Sequence, residues 1–140
     1  MTFSRRLFTR GAIVASGAFL FSWVQDAHAG SYLRRAGVLL RGAELEAKTL
    51  RARFHDKELA KLTHHLALAR VNAAGEMLVP KEVKDAHPHL LLVLSAYERA
   101  ADGAVRGSQE DLLVSLARAR QEARIFEALL KQAGWTLPRS

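Results

Sequence analysis

Apolar residues in this chain recur every three or four positions and almost nowhere every two. From residue 33 the steps are Leu33, Ala36, Leu40, Ala43, Ala47, Leu50 and Phe54. That period lays side chains along one stripe of an α-helix, whereas a strand would need alternation. Alanine, leucine, arginine and glutamate dominate and β-branched residues are scarce, so intrinsic propensity points the same way. The chain has no cysteine, which removes disulfides, thiolate metal sites and covalent c-type haem attachment together. A chain of this kind is held by the packing of its helical stripes.

A second stripe reads Leu59, Leu62, Leu66, Ala69 and Ala73. It is out of phase with the first. The five residues from Phe54 to Leu59 turn a helix by about 500°, which leaves the second stripe about 140° away. A break near His55-Asp56, with Asp56 as N-cap, resolves the mismatch. The alternative is one long kinked helix over residues 31–74. Gly75 ends the segment, and residues 76–86, punctuated by Pro80, form the linker.

The next helix begins near Pro88, where a missing N–H costs nothing. It carries Leu90, Leu91, Val93, Leu94, Tyr97, Ala100, Ala101 and Ala104. Asp102-Gly103 predicts fraying or an end there. The run Leu90 to Leu94 is denser than one stripe requires. Either helix 88–104 is central and buried on several sides, or it offers a protein partner a surface. Ser108 with Asp111 three residues on resembles a capping box and predicts a last helix from about Gln109 to Ala133. Its stripe is Leu112, Leu116, Ala119, Ala123, Phe126, Leu130 and Ala133, and Gly134 stops it. Glu44–Lys48 and Glu127–Lys131 are spaced as ion pairs on solvated faces. The fold class expected is all-α, an antiparallel four-helix bundle, with three helices and a long kinked first one as the alternative.

The first 29 residues read differently. Ser4-Arg5-Arg6-Leu7-Phe8-Thr9-Arg10 precedes an apolar run from Gly11 to Val24, followed by Ala27-His28-Ala29. This resembles a twin-arginine export signal, with Ser4, Arg5, Arg6 and Phe8 as the recognition residues; Thr9 departs from the pattern's leucine and Arg10 stands in for its lysine. The apolar run is about fourteen residues, short of the roughly 20 that span a bilayer. Ala27-x-Ala29 is a small-x-small cleavage site that sets a mature start at Gly30. The resemblance implies export of a folded chain to the periplasm or beyond, with the export machinery as a partner. The alternative is an uncleaved signal that anchors the chain to the inner membrane. The domains expected are therefore a signal peptide, residues 1–29, and a helical bundle, residues 30–140.

The mature segment has 111 residues and a formal charge of +5, against +7 for the whole chain. Such a balance suits anionic lipid, cell-wall polymers or acidic protein surfaces. No basic patch interleaved with aromatics marks a nucleic-acid site. Hydrolase, phosphate-loop and zinc-protease motifs are missing. Glu110 and Asp111 are adjacent carboxylates, but at a helix start they favour the helix dipole. No catalytic residue is identified.

Histidines are the remaining candidates. If the second and third helices form a hairpin, His87 and His89 lie beside its turn, while His64 and His65 lie about 13 Å further along. One metal ion needs its imidazoles about 2 Å away. His64 points away from the second stripe. Solvated or helix-end histidines are therefore expected. His87-Pro88-His89 could chelate a metal outside a helix; once helical, its two rings diverge by about 200°. A Met/His haem site would have to use Met77, the one methionine of the mature segment. The function expected is that of an exported interaction or accessory protein without a cofactor, acting through helix faces. The alternative is a histidine-dependent metal or haem binder.

The resemblance makes a direct prediction. Replacing Arg5 and Arg6 together by Lys blocks export and leaves the precursor in the cytoplasm, because lysine cannot copy the planar guanidinium fork. Mass spectrometry of the exported wild type finds Gly30 at its N-terminus; unchanged export of the double variant, or an intact N-terminus in the membrane fraction, contradicts the reading.

Overall fold

Asp56 decides where the first helix stops. Its backbone is extended, and its Oδ1 accepts the Leu59 N–H at 3.0 Å while Oδ2 holds Arg53 Nη2 at 2.6 Å. One carboxylate thus ends one helix and starts the next. The computed structural model describes residues 30–138, whose helices are α1 (30–52), α2 (Lys57–Gly75), α3 (His87–Val105) and α4 (Gln109–Gln132). The long kinked first helix is thereby set aside.

Contacts between elements set the directions. Tyr32 near the start of α1 reaches His87 at the start of α3, and Glu46 of α1 meets Arg70 of α2. Lys57 at the start of α2 donates to the Ala104 carbonyl near the end of α3, at 3.2 Å. His89 of α3 meets Glu122 of α4. Each helix therefore runs antiparallel to the one before it, in an up-down-up-down bundle. No strand occurs among the described residues.

The core has two clusters. One gathers Tyr32, Leu33, Ala36, Ala43, Leu90, Leu94, Phe126 and Leu130 at the end where α1 and α3 begin. The other gathers Leu50, Ala60, Ala100, Ala101, Ala104, Leu112 and Leu116 at the opposite end. The stripe expected on α1 lies in these clusters, as do Leu112, Leu116, Phe126 and Leu130 of α4; Ala119 is buried between the clusters' α4 residues, Ala123 is half-buried and Ala133 is exposed. On α3, Leu90, Val93, Leu94 and Ala96 are buried, Leu91 is half-buried and Leu92 is exposed. The dense apolar run thus belongs to a helix packed against both α2 and α4.

Helix α2 differs from expectation. Its buried residues are Ala60, Thr63, Ala67 and Ala74, not the leucine stripe. Leu62 is 56% exposed and Leu66 40%, and Ala69 and Ala73 are also outside. The buried stripe lies one residue further along, about 100° around the helix. The reason is steric. Ala60, Ala67 and Ala74 are spaced seven apart: Ala60 packs with Ala100, Ala101 and Ala104 of α3, Ala67 lies beside Ala100 and Tyr97, and Ala74 joins the cluster of Leu90 and Leu94, and side chains this small let helices approach closely. Leucines on that stripe would hold the helices apart.

Two further expectations are corrected. Helix α3 does not end at Asp102-Gly103; it runs on to Val105 with Gly103 buried inside it. A Cβ at Gly103 would lie 3.0 Å from the Leu112 backbone nitrogen and 3.0 Å from Asp111 Cβ, so glycine there lets α4 start against α3. The stop is supplied by Gly107, at φ 75°, where Ser108 N–H bonds Gly103 O at 2.8 Å and Gly107 N–H bonds Ala104 O at 3.1 Å. That is a Schellman closure. The linker 76–86 is also less open than expected: it makes a short 3-10 turn, Lys81–Val83, and buries Pro80, Val83 and Ala86.

The inverted stripe of α2 is testable by a pair of substitutions. Ala67→Leu overpacks the α2–α3 contact and costs about 1–3 kcal/mol. Leu66→Ala, one residue away, stays within about 0.5 kcal/mol, as surface changes do. Urea unfolding of both variants checks the order; a larger loss for Leu66→Ala would restore the leucine stripe to the core.

Candidate functional site

Three histidines make contacts between helices. His64 Nε2 of α2 lies 2.8 Å from Glu98 Oε1 of α3, with both side chains 24% exposed. His89 Nδ1 of α3 lies 2.9 Å from Glu122 Oε2 of α4. The Tyr32 hydroxyl of α1 lies 2.9 Å from His87 Nδ1, with the rings edge to face. His55 and His65 are exposed, as expected. His87 and His89 occupy the first turn of α3, also as expected, but they serve different neighbours: His87 turns toward α1 and His89 toward α4.

The Tyr32–His87 contact has a defined protonation state. Burial raises the Tyr32 phenol far above its ordinary value and lowers the His87 imidazole below its ordinary 6.5, an effect the hydrogen-bonded Ala74 carbonyl partly offsets. Both partners are therefore neutral, and the hydrogen bond between them carries no charge. The contact ties the start of α1 to the start of α3, with Ala74, near the end of α2, on the other side of the ring.

A fourth clasp lies between α1 and α2. Arg70 grips the Glu46 carboxylate with both terminal nitrogens, a bidentate pair whose side chains are mostly buried. Its guanidinium lies over Gly42, where a Cβ would come within 3.1 Å of Nη2. Thr63 is the buried polar residue nearby on α2.

Two concavities accompany these clasps. One, of about 400 Å³, lies between α1, α4 and the C-terminal tail and contains Arg41, Glu44, Glu127 and Lys131. Arg41 Nη1 donates to the Pro138 carbonyl at 3.0 Å, so the tail forms its wall. The Glu127–Lys131 pair expected from spacing is not among the ion pairs of the described residues, whereas Glu44–Lys48 is, at 3.9 Å. The other concavity, of about 480 Å³, is a groove between α1 and α2 lined by Arg34, Arg35, Val38, Leu39, Ala73, Glu76 and Met77.

Val38 of that groove is one of several exposed apolar residues on α1 and α2. Val38 and Leu45 of α1 are 61% and 64% exposed, and on α2 the outward leucine stripe continues through Leu62, Leu66, Ala69 and Ala73. Large apolar side chains gathered on one face of a helix pair mark an interaction surface more often than an accident of composition. Leu78, Leu92, Leu113 and Val114 are exposed elsewhere.

Among the described residues no three histidine or carboxylate side chains are grouped as a metal ion would require. The signal residues Ser4, Arg5, Arg6 and Phe8 and the cleavage residues Ala27 and Ala29 lie outside the described residues. Spacing alone did not reveal Tyr32, Glu46, Arg70, Glu98 or Glu122. The glutamates at 98 and 122 each stand 33 or 34 positions from their histidine, about the pitch of a helical hairpin, and that separation is the one signal that could have found them. No protein-family model, curated protein or solved structure matches the chain.

The neutral His87 carries a pH dependence of known sign. Its folded-state pKa lies below the unfolded one, so the unfolded chain binds the proton first as pH falls. The contribution is fully present above about 6.5 and is lost progressively below it. Urea midpoints measured from pH 7.5 to 5 should fall more steeply for the wild type than for His87→Asn. Parallel slopes would show that the ring is not held neutral.

Proposed function

We propose that this chain is an exported interaction or accessory protein without catalytic activity, acting by packing a helix face against another protein. The observation that carries the reading is the exposed apolar face of α1 and α2, where Val38, Leu45, Leu62 and Leu66 stand in solvent. The bundle supplies rigidity to such a face: Asp56 fixes the α1–α2 corner and the Arg70–Glu46 pair locks the two helices together. The sequence carries no catalytic motif, and the carboxylates facing His64 and His89 form contacts between helices rather than flank a cleft.

Localisation belongs to the same proposal. The twin-arginine resemblance of residues 4–10 and the small-x-small pattern at Ala27 and Ala29 support a working chain in the periplasm or outside, released by cleavage. Retention of the segment would instead anchor the bundle at the inner membrane. No helix among the described residues is long and apolar enough to cross a membrane, so any anchor would be that segment. Helix 88–104 contributes to partner contact only through its outer edge at Leu92, since its other large apolar residues face the bundle.

Isolation of the tagged full chain from its native compartment tests the reading. The expected result is a protein partner recovered in stoichiometric amount, with no Soret band and metal well below one ion per chain. Haem or metal at one per chain, without a protein partner, would replace this reading by the histidine-dependent binder.

A further inference from the structure

We propose that the apolar face of α1 and α2 is a docking groove for one kind of occupant: an amphipathic helix of another protein whose apolar seam is flanked by acidic residues. This rests on the interaction reading above and adds to it the surface and the chemistry of the partner.

Shape comes first. The two helices run antiparallel, and the 480 Å³ groove between them is walled by Val38 and Leu39 on one side and Ala73 and Met77 on the other. Beyond it, Leu66 and Leu62 extend the apolar strip along α2. From Leu62 to Ala73 the strip is about 16 Å long, three turns of helix. A groove of that length between two helices receives the apolar stripe of a third, with contacts at i, i+3 or i+4, and i+7. Ala69 keeps the middle of the α2 strip low, so a helix can lie along it.

Charge selects the partner. On α1, Val38 is flanked by Arg34, Arg35 and Arg41, whereas Leu45 lies between Glu44, which pairs with Lys48, and Glu46, which Arg70 holds. On the α2 side Glu58, at the start of the helix, faces Lys61, and Glu76 is the acidic residue lining the groove, against Arg34 and Arg35. Arg34 and Arg35 have no ion-pair partner among the described residues and stand exposed at the groove mouth. The rim is therefore net positive. A second copy of this chain would bring a second positive rim against it, and like charges across an interface are unfavourable. A lipid surface fits less well: the face is concave and carries no Trp, Tyr or Phe, the residues that seat proteins at a bilayer interface. Acidic flanks on an incoming helix meet both demands, since they complement the rim and speed encounter.

Why α2 leaves its leucines outside follows from the same placement. The alanine stripe is spent on α3, so the leucine stripe is left for something not in this chain's core.

The test uses the full chain in its native cell with a photo-reactive benzoylphenylalanine in place of Leu66, Val38 or, as a control on α4, Val114, which is 63% exposed. Irradiation at positions 66 and 38 should crosslink the same protein, and the crosslinked peptide should be a helical segment with an apolar seam and acidic flanks. Position 114 should not crosslink it. Arg34→Glu with Arg35→Glu should lower the yield at position 66 about tenfold while leaving thermal unfolding unchanged. Crosslinks at 66 to a second copy, to lipid or to a segment without acidic flanks overturn the proposal. A partner captured from position 114 but not from 66 or 38 overturns the groove and leaves the interaction reading standing. No crosslink from any position removes both.

Discussion

The seating of the alanine stripe of α2 against α3 is the constraint from which the rest of this bundle follows. Ala60, Ala67 and Ala74 recur every seven residues, and Ala60 shares a core cluster with Ala100, Ala101 and Ala104. Small side chains gain little transfer energy each. Their value is geometric: they let backbones approach, and the larger residues of α1 and α4 then fill the remaining volume. Leu50, Leu112, Leu116 and Phe126 supply that filling, all nearly fully buried. Once α2 is turned so that its alanines meet α3, its leucines are carried outward and His64 is carried to Glu98.

The polar clasps are consequences of that rotation and then hold it. Each of the three helix pairs α1–α2, α2–α3 and α3–α4 has a partly buried ionisable pair across it: Arg70 with Glu46, His64 with Glu98, His89 with Glu122. Tyr32 with His87 adds a neutral contact between the diagonal helices α1 and α3. Partly buried pairs of this kind contribute modestly to stability and more to register, because a helix displaced by one turn would leave each partner unsatisfied. Alanine surfaces slide more easily than interlocked leucines do, so a bundle with an alanine contact benefits from such registers. The helix ends are closed with equal economy. The Leu130 carbonyl accepts the Trp135 N–H at 2.8 Å past Gly134, the same closure that ends α3 at Gly107.

Much of the architecture was legible beforehand because its signals are local. Asp56 and Ser108 cap through bonds to residues three positions on, and Gly107 and Gly134 supply the positive φ a helix end needs. The stripes of α1 and α4 combine size with period, so hydrophobicity and burial coincide. On α2 they part: the more hydrophobic stripe is outside and the smaller one inside, and no count of leucines reveals it. Gly103 reads as a helix breaker in sequence, whereas in the fold it is a spacer against α4. The clasps were hidden for the same reason, since His64 pairs with Glu98 only if α2 is turned onto its alanines.

By itself the sequence determined the helical class, the caps at Asp56 and Ser108, the stop at Gly134 and the inward stripes of α1 and α4, because these depend on dihedral preferences and periodicity within a few residues. Only the tertiary structure decided which stripe of α2 enters the core, which histidine meets which carboxylate, and that Val38, Leu45, Leu62 and Leu66 share the outer side of a helix pair. Those outcomes depend on how closely two helices can approach, and that distance is a property of both surfaces at once. The candidate docking face is therefore what remains after the closest approach has been satisfied.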